Sequence, residues 1–393
     1  MNILYVGHTY TIRANQAKIV ALARQPGVEI TLVTPQGWRG PLYNNKTDTF
    51  DRAEAPNVTH RIIPAFLLGK EGAYFYNPSI FSLIATLKPD IVHVEQGAYA
   101  VSFTQILLAV KLFSRRSKAL FFTWWNLPYR PRGIKRILES FNLKNSDAAI
   151  AGNSAAKEIL KEHGFQKPIS ILPQLGVDVS VYQPISNFSA ERPFTIGYAG
   201  RITTEKGVLD LVRASAQLSR TNEVSLYFVG GGEALEDAKR EAAHYGVPLR
   251  HSEAVRNEQL VPHFDEMDVL VLPSRSTPEW VEQFGHILIE AMACGVPVVG
   301  SSSGEIPNVI GDAGLIFEEG NIDDLALKLG SLIDTRERVR LRAAGLERVK
   351  KHFTHEKIAE AQVRIYRELL GLQRESVSDY IDSAIRQTEV HSA

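Results

Sequence analysis

The chain of 393 residues has a single cysteine, Cys294, so it can form neither an internal disulfide nor a cysteine-rich metal site. That fits a reducing compartment, and a cytoplasmic location is expected. Charge of one sign is not in excess either: Lys+Arg and Asp+Glu both number 44. No global field draws the chain to nucleic acid, no nucleic-acid partner is expected, and an electrostatic partner needs a local patch. Long hydrophobic runs are missing. The longest, roughly Ala98 to Phe113, is interrupted by Thr104, Gln105 and Lys111 and falls short of the ~20 residues needed to cross a bilayer. The opening residues Met1-Asn2-Ile3-Leu4-Tyr5-Val6-Gly7 lack the basic start and small-residue cleavage site of a signal peptide and read as a strand. Repeats, low-complexity segments, Asp-x-Asp motifs and His/Cys ligand sets are also lacking, so no metal is expected.

What remains is ordinary globular composition, with 44% hydrophobic and 22% charged residues, in a chain longer than one core usually sustains. Two α/β domains are expected. Short β-rich runs at Ile3 to Val6, Ile30 to Val33, Ile91 to Val94, Ala119 to Thr123 and Ala148 to Ala151 alternate with helical stretches such as Asn15 to Arg24 and Ile80 to Leu87. The rhythm restarts with strands at Phe194 to Tyr198, Ser225 to Val229, Val269 to Leu272 and Val296 to Val299, and helices near Val208 to Ser219, Ala234 to Tyr245 and Gly285 to Ala293. Between the halves lies a polar stretch with two prolines. The pattern predicts a first Rossmann-like domain over 1–182, a linker over 183–193, a second domain with its C-terminal helices over 194–372, and a polar tail over 373–393. Ligands of such sheets bind at the carboxyl ends of the strands, and a cleft between two such domains is expected to hold the chemistry.

Three segments of the second half carry candidate chemistry. In Glu282-Gln283-Phe284-Gly285-His286-Ile287-Leu288-Ile289-Glu290 a helix begins near Gly285 and ends at Cys294-Gly295-Val296-Pro297. If the helix line is roughly continued, Glu282 and Glu290 lie on the order of 12 Å apart. That exceeds the 5 to 9.5 Å of a glycosidase carboxylate pair. It suits a long ligand with hydroxyls at both ends and a diphosphate over the helix start between them. The alternative, a carboxylate resting near a helix end and a solvated helix residue, stays open for the pair alone. Gly200-Arg201-Ile202-Thr203-Thr204-Glu205-Lys206-Gly207 follows a strand and places a guanidinium fork and a compact ammonium near each other, as a phosphate site needs; a solvated basic turn is the other reading. Gly230-Gly231-Gly232-Glu233 closes the next strand and permits close backbone approach.

From about Phe194 to Phe317 the chain resembles the donor domain of the retaining GT-B fold glycosyltransferases, family 4-like, of the group that includes sucrose synthases and bacterial mannosyl- and glucosyltransferases. The resemblance rests on Gly200-Arg201 with Lys206-Gly207, on Val229-Gly230-Gly231-Gly232, on Leu272-Pro273-Ser274, on Glu282 with Glu290, and on the run from Glu290 to Val299. It implies two Rossmann-like domains facing a central cleft, and transfer of a hexose from a UDP- or GDP-sugar with retention and without a metal or other cofactor. By the same resemblance Glu282 holds the hexose hydroxyls, Glu290 the ribose hydroxyls, and Arg201 and Lys206 the diphosphate. The amides near Phe284, Gly285, His286 and Ile287 hold the distal phosphate, with Gly200, Gly231, Gly232 and Ser274 lining the donor site. The expected acceptor is a glycan, a lipid-linked sugar or a small molecule, in polysaccharide or glycolipid assembly.

In the first half the resemblance is weaker, through the run Leu87 to Glu95 and Leu172-Pro173-Gln174-Leu175-Gly176-Val177-Asp178. Many relatives carry a His-Asp pair after the strand ending at Thr123; here Trp125 and Asn126 stand in those places. Trp124 and Trp125 are either an aromatic floor for an acceptor sugar or core residues. His8, just past the first strand, either reaches the cleft or is a loop histidine, and His93 reads as core. Glu253 stands where relatives often have a glycine near the base pocket, which leaves the nucleobase open. The basic residues Lys111, Arg115, Arg116, Lys118, Arg130, Arg132, Lys135 and Arg136 alternate with apolar ones and are opposed mainly by Glu139; they form either solvated loops or a peripheral contact with the inner membrane face. Two rival classes remain, a nucleotide-sugar epimerase of the same fold and a non-catalytic nucleotide-sugar-binding subunit.

Overall fold

Each strand-helix-strand unit along this chain must cover both faces of a parallel sheet, because strands such as Ile91–Glu95, buried throughout, have no face suited to water. The computed structural model describes residues 1–39, 55–185, 192–256 and 259–372. They form two units.

The first unit comprises Met1–Gly176 and the chain again from His355. Its strands are β1 (Asn2–Val6), β2 (Glu29–Thr34), β3 (Val58–Ile62), a small hairpin β4 (Ala65–Phe66) and β5 (Phe75–Tyr76), then β6 (Ile91–Glu95), β7 (Lys118–Thr123), β8 (Ala148–Ala151) and β9 (Ile169–Ile171). Helices α1 (Gln16–Ala23), α2 (Ser79–Leu87), α3 (Val101–Phe113), α4 (Ile134–Asn145) and α5 (Ser154–Glu162) fall between them. The seven-stranded sheet is parallel in the order β3-β2-β1-β6-β7-β8-β9. Its two faces carry separate cores, one containing Phe103, Phe121 and Ile80, the other Tyr5, Leu22 and Ile150.

The second unit, Val177–Thr354, contains β10 (Phe194–Ala199), β11 (Val224–Val229), β12 (Leu249–Ser252), β13 (Val269–Leu272), β14 (Val298–Ser301) and β15 (Leu315–Phe317). Their parallel order is β12-β11-β10-β13-β14-β15, a doubly wound sheet whose strand order reverses between β10 and β13. Helices α6 (Val208–Leu218), α7 (Leu235–Tyr245), α8 (Val261–Phe264), α9 (His286–Ala293), α10 (Ile306–Ile310), α11 (Ile322–Ser331) and α12 (Thr335–Arg348) surround it.

The structure divides the chain differently from the sequence pattern. The final helix, α13 (His355–Leu369), belongs to the first unit, not to the second as its position in the chain suggests. Ile358, Ala359, Val363, Ile365 and Tyr366 enter the same apolar cluster as Ile3, Tyr5 and Leu22, and this burial holds the helix there. Val177 marks the other change of unit, so Tyr182 falls in the second unit. Of the expected linker, residues 186–191 lie outside the described residues, as does the tail over 373–393.

Beneath the carboxyl end of the first sheet lies a buried polar network that the sequence pattern did not reveal. Glu95 at the end of β6 accepts from Lys18 at 3.1 Å, from Tyr10 at 2.7 Å, from Tyr5, and from Gln174 at 2.6 Å. Burial alone would push the Glu95 carboxyl up, but Lys18 and the other partners hold it below its ordinary value; burial pulls the Lys18 ammonium down although Glu95 opposes it. Such a pair is costly to break from one side, since the remaining charge stays buried. Lys18→Met should therefore destabilise the first unit by about 3–5 kcal/mol in denaturant unfolding; a loss under about 1 kcal/mol would show that the pair is not buried as described.

Candidate functional site

The loops after β10, β11, β13 and β14 converge beside the reversal point of the second sheet. They contain most of the residues singled out from the sequence. Lys206 ends a short 3-10 turn over Thr204–Lys206, and Gly207 beyond it has φ +67°. A Cβ on Gly207 would collide with the carbonyl oxygen of Pro273, so only glycine lets the Lys206 turn close against the end of β13. This contact brings the Lys206 ammonium 2.6 Å from Glu282 Oε2, which also accepts from the Ser274 hydroxyl at 2.8 Å. Both bonds go to the same oxygen. Trp280 packs under the ammonium, with Nζ 4.4 Å from the ring centroid. The Glu282 carbonyl accepts from the amide of Glu305 at 3.2 Å, so the loop after β14 fixes the backbone of that glutamate as well.

Glu282 is 8% exposed and paired, which removes the reading of a carboxylate merely resting by a helix end. It is also not in line with the helix: Gly285 adopts φ +83° as the cap of α9 and turns the chain before His286. The rise-per-residue separation of the two glutamates therefore does not apply to this loop. Phe284 packs inward against Phe353 and His286, so its contribution to a ligand is through the backbone. The start of α9, at His286 and Ile287, brings N–H groups and a positive helix end to the same place.

Glu290 lies within α9. Burial pushes its carboxyl up to about 8, moderated by a hydrogen bond from Tyr182. It is thus not a solvated helix residue. Tyr182 itself was not singled out from the sequence, where it precedes a polar stretch without any pattern.

Arg201 is different. Its side chain is 63% exposed and lies 3.8 Å from Glu205, its one ion contact among the described residues, while the Tyr198 hydroxyl donates to the Arg201 carbonyl and holds the backbone. The guanidinium is left to turn toward an anion. Gly200 and Gly232 serve the packing of these loops. A Cβ on Gly230 would strike the Gly200 carbonyl and one on Gly232 the Ile202 carbonyl, whereas Gly231 faces open space. Glu253 is exposed just past β12.

In the first unit, His8 follows β1 and Gln96 follows β6, and Gln96 Nε2 lies 2.9 Å from His8 Nδ1. With the amide donating, His8 keeps its own proton on Nε2. Burial lowers its pKa to about 4, so it is neutral, and its ring stacks on Trp38 at 4.0 Å. Trp124 and Trp125 part ways. Trp124 lies against Gly152, where any Cβ would overlap its ring, and donates to Gln174 at 2.7 Å, so it is a packing residue. Trp125 is 45% exposed, and Asn126 is buried. His93 is core, as its strand position implied, bonded to Tyr366 at 2.6 Å. Among the described residues no three His, Cys, Asp or Glu side chains group as metal ligands, and no helix is long and apolar enough to cross a membrane.

Comparison with known proteins adds the following. Residues 183–348 match the sequence model of the family "Glycosyl transferases group 1". A sulfoquinovosyl transferase of Arabidopsis thaliana is 27% identical over 66% of this chain and 53% of its own length. The chain spans 53 to 61% of the length of the curated relatives it matches first. Among solved structures, a glycosyltransferase from Rickettsia africae superposes with a TM-score of 0.69 at 19% identity, covering 95% of this chain and 99% of that one. Anabaena HepE, solved in complex with UDP, does so with a TM-score of 0.64 at 15% identity, covering 94% and 100%.

Proposed function

We propose, from the premise that the chain belongs through residues 183–348 to glycosyl transferases group 1 and has the GT-B fold, that it moves a hexose from a UDP- or GDP-sugar to an acceptor hydroxyl. The observation that carries this reading is the Lys206–Glu282–Ser274 cluster beside the start of α9. In it a cation, a carboxylate with both of these bonds on one oxygen, and a positive helix end meet where the strand order reverses. Glu282 Oε1 is the acceptor for hexose hydroxyls. Glu290 grips the ribose hydroxyls. Arg201, Lys206 and the amides from Phe284 to Ile287, with Gly231 leaving room, take the diphosphate, whose charge grows as the glycosidic bond breaks. With two cations and a helix end to neutralise it, the leaving group requires no metal ion, and the sugar keeps its anomeric configuration. A relative solved with UDP supports the choice of a nucleoside-diphosphate donor.

The neutral His8, with its Nε2–H defined by Gln96, and the exposed Trp125 are the acceptor-side candidates, with the buried Asn126 next to Trp125 in the chain. A glycan or a lipid-linked sugar is the proposed acceptor, in polysaccharide or glycolipid assembly on the cytoplasmic side.

Calorimetry with a panel of nucleoside diphosphates tests the donor site directly. One of them should bind, and Arg201→Ala should weaken it by about 10- to 100-fold through loss of a charge-assisted bond to phosphate. Failure of every nucleotide to bind would remove the donor reading. Turnover then separates the classes: release of sugar to an acceptor or to water marks a transferase, isomerisation without acceptor an epimerase, and binding without turnover a non-catalytic subunit.

A further inference from the structure

The first unit contains a cavity of about 1190 Å³ between the segment entering α4, α4 itself and the loop following α5. Arg130, Arg136, Lys144 and Lys167 line it, against the carboxylates Glu139 and Glu162. Glu162 is exposed and offsets one of these charges, but Glu139 does not. Glu139 is buried and already engaged, accepting from the Tyr129 hydroxyl and lying 3.1 Å from His163 Nδ1. Lys167 is committed to the end of α4, donating to the carbonyls of Lys144 at 2.7 Å and Ser146. Arg130, Arg136 and Lys144 remain, and among the described residues no carboxylate pairs with them. Three exposed cations therefore border a concave wall held rigid by Tyr129, Glu139 and His163.

The same helix shows apolar residues to water. Ile134 is 66% and Ile137 65% exposed, one turn apart at the start of α4, with Lys135 and Arg136 between them. Neighbouring α3 exposes Leu112 and Phe113 and carries Lys111, which reaches Asn145 of α4 at 2.7 Å. Trp125 and Tyr129 meet edge to face at 5.7 Å beside the cavity, and Lys135 stands 5.1 Å over Tyr99, itself packed on Tyr129. Isolated apolar side chains on a surface need no explanation. Here they alternate with cations on one helix, next to the exposed Trp125 and the half-buried Tyr129 and Tyr99, rings with one apolar and one polar end, around a cavity bordered by positive charge. That combination matches the interface of an anionic bilayer, where phosphates lie just outside the first methylenes.

We propose that this cavity seats the phosphate of an anionic phospholipid, with Arg130, Arg136 and Lys144 around it, while Ile134 and Ile137 enter the membrane interface. The site is independent of the sugar-transfer reading, because lipid binding is measured with no donor present. In co-sedimentation at low salt, the full chain should pellet with vesicles of equal parts phosphatidylglycerol and phosphatidylcholine and stay in solution with vesicles of phosphatidylcholine alone. Raising the salt should release it, as screening demands. Arg136→Gln with Lys144→Gln should weaken partition by about fivefold for each cation removed. Ile134→Ser with Ile137→Ser should weaken it at low and high salt alike. Equal binding to both vesicle types, or to neither, would overturn the proposal, as would variants that melt and bind like the wild type. Heat of binding with inorganic phosphate, abolished in the glutamine variant while anionic vesicles go unbound, would instead mark a site for a soluble phosphorylated ligand and overturn it too. The wild-type comparison of the two vesicle types decides even where a variant is unstable.

Discussion

Lys206→Ala should reduce sugar transfer about a thousandfold in kcat and also lower the melting temperature. Both effects follow from one contact. Lys206 holds the Glu282 carboxylate at 2.6 Å inside a pocket where both side chains are nearly covered, at 13% and 10% exposure. During transfer its ammonium is the compact charge nearest the leaving diphosphate in the proposed arrangement, and removing one such preorganised group costs roughly 10²–10³ in rate. In the resting protein its loss leaves the Glu282 carboxylate held by the Ser274 hydroxyl, an uncompensated buried charge worth about 3 kcal/mol. The two roles separate in a double variant. Lys206→Ala with Glu282→Gln should regain most of the melting temperature, because the orphaned charge is gone, and none of the activity. Steady-state kinetics with thermal melting reads both, and a single variant that keeps turnover within tenfold of wild type would refute the role of Lys206.

Glu290→Gln should make stability flat with pH where the wild type declines, and should weaken nucleotide binding about a hundredfold. The folded carboxyl titrates at about 8, whereas in the unfolded chain it returns to its ordinary value near 4.5. Between those values the folded protein holds the proton more tightly, so unfolding releases it and stability falls as pH rises through the window. The wild type should therefore lose about 4 kcal/mol between pH 5 and 9 that the glutamine variant keeps. Ribose binding runs the other way. An ionised carboxylate accepts from both hydroxyls at once, and such bonds to a charged group contribute about 1.5–3 kcal/mol. Affinity of the wild type should hence rise with pH, with proton release detectable by calorimetry in buffers of different ionisation heat. Affinity independent of pH and unchanged in the variant would show that Glu290 does not face the ribose.

The interior of both sheets was legible because buried parallel strands must be apolar along their whole length: β1, β2, β6, β7 and β8, and β10, β11, β13 and β14, all stand where β-rich runs occur. Of the six strands that the sequence pattern missed, β4 and β5 form the small hairpin, and β3, β9, β12 and β15 are the edges of the two large sheets. An edge strand needs no such run; Val58–Ile62 is mostly exposed and Leu249–Ser252 reads Leu-Arg-His-Ser. Likewise the turn-forming glycines and the spacing of Glu282 and Glu290 pointed to the loops that carry the proposed donor site, while Tyr182 and Trp280 carried no local signal. Their partners, Glu290 and Lys206, come from other segments of the chain.

The sequence by itself determined two parallel α/β units and singled out the glycine-bearing loops, glutamates and cations on which the proposed site is built, since these depend on periodicity and on residue types a few positions apart. Only the tertiary structure decided where the last helix goes, that Lys206 is already held by Glu282, that the Glu290 carboxyl is pushed toward its neutral form, and that Glu95 and Lys18 share a buried network. Each of those depends on desolvation and on contacts between segments distant in the chain. A carboxylate in the sequence is the same letter in water and in a pocket; only the fold sets its surroundings, and with them its charge and its partner.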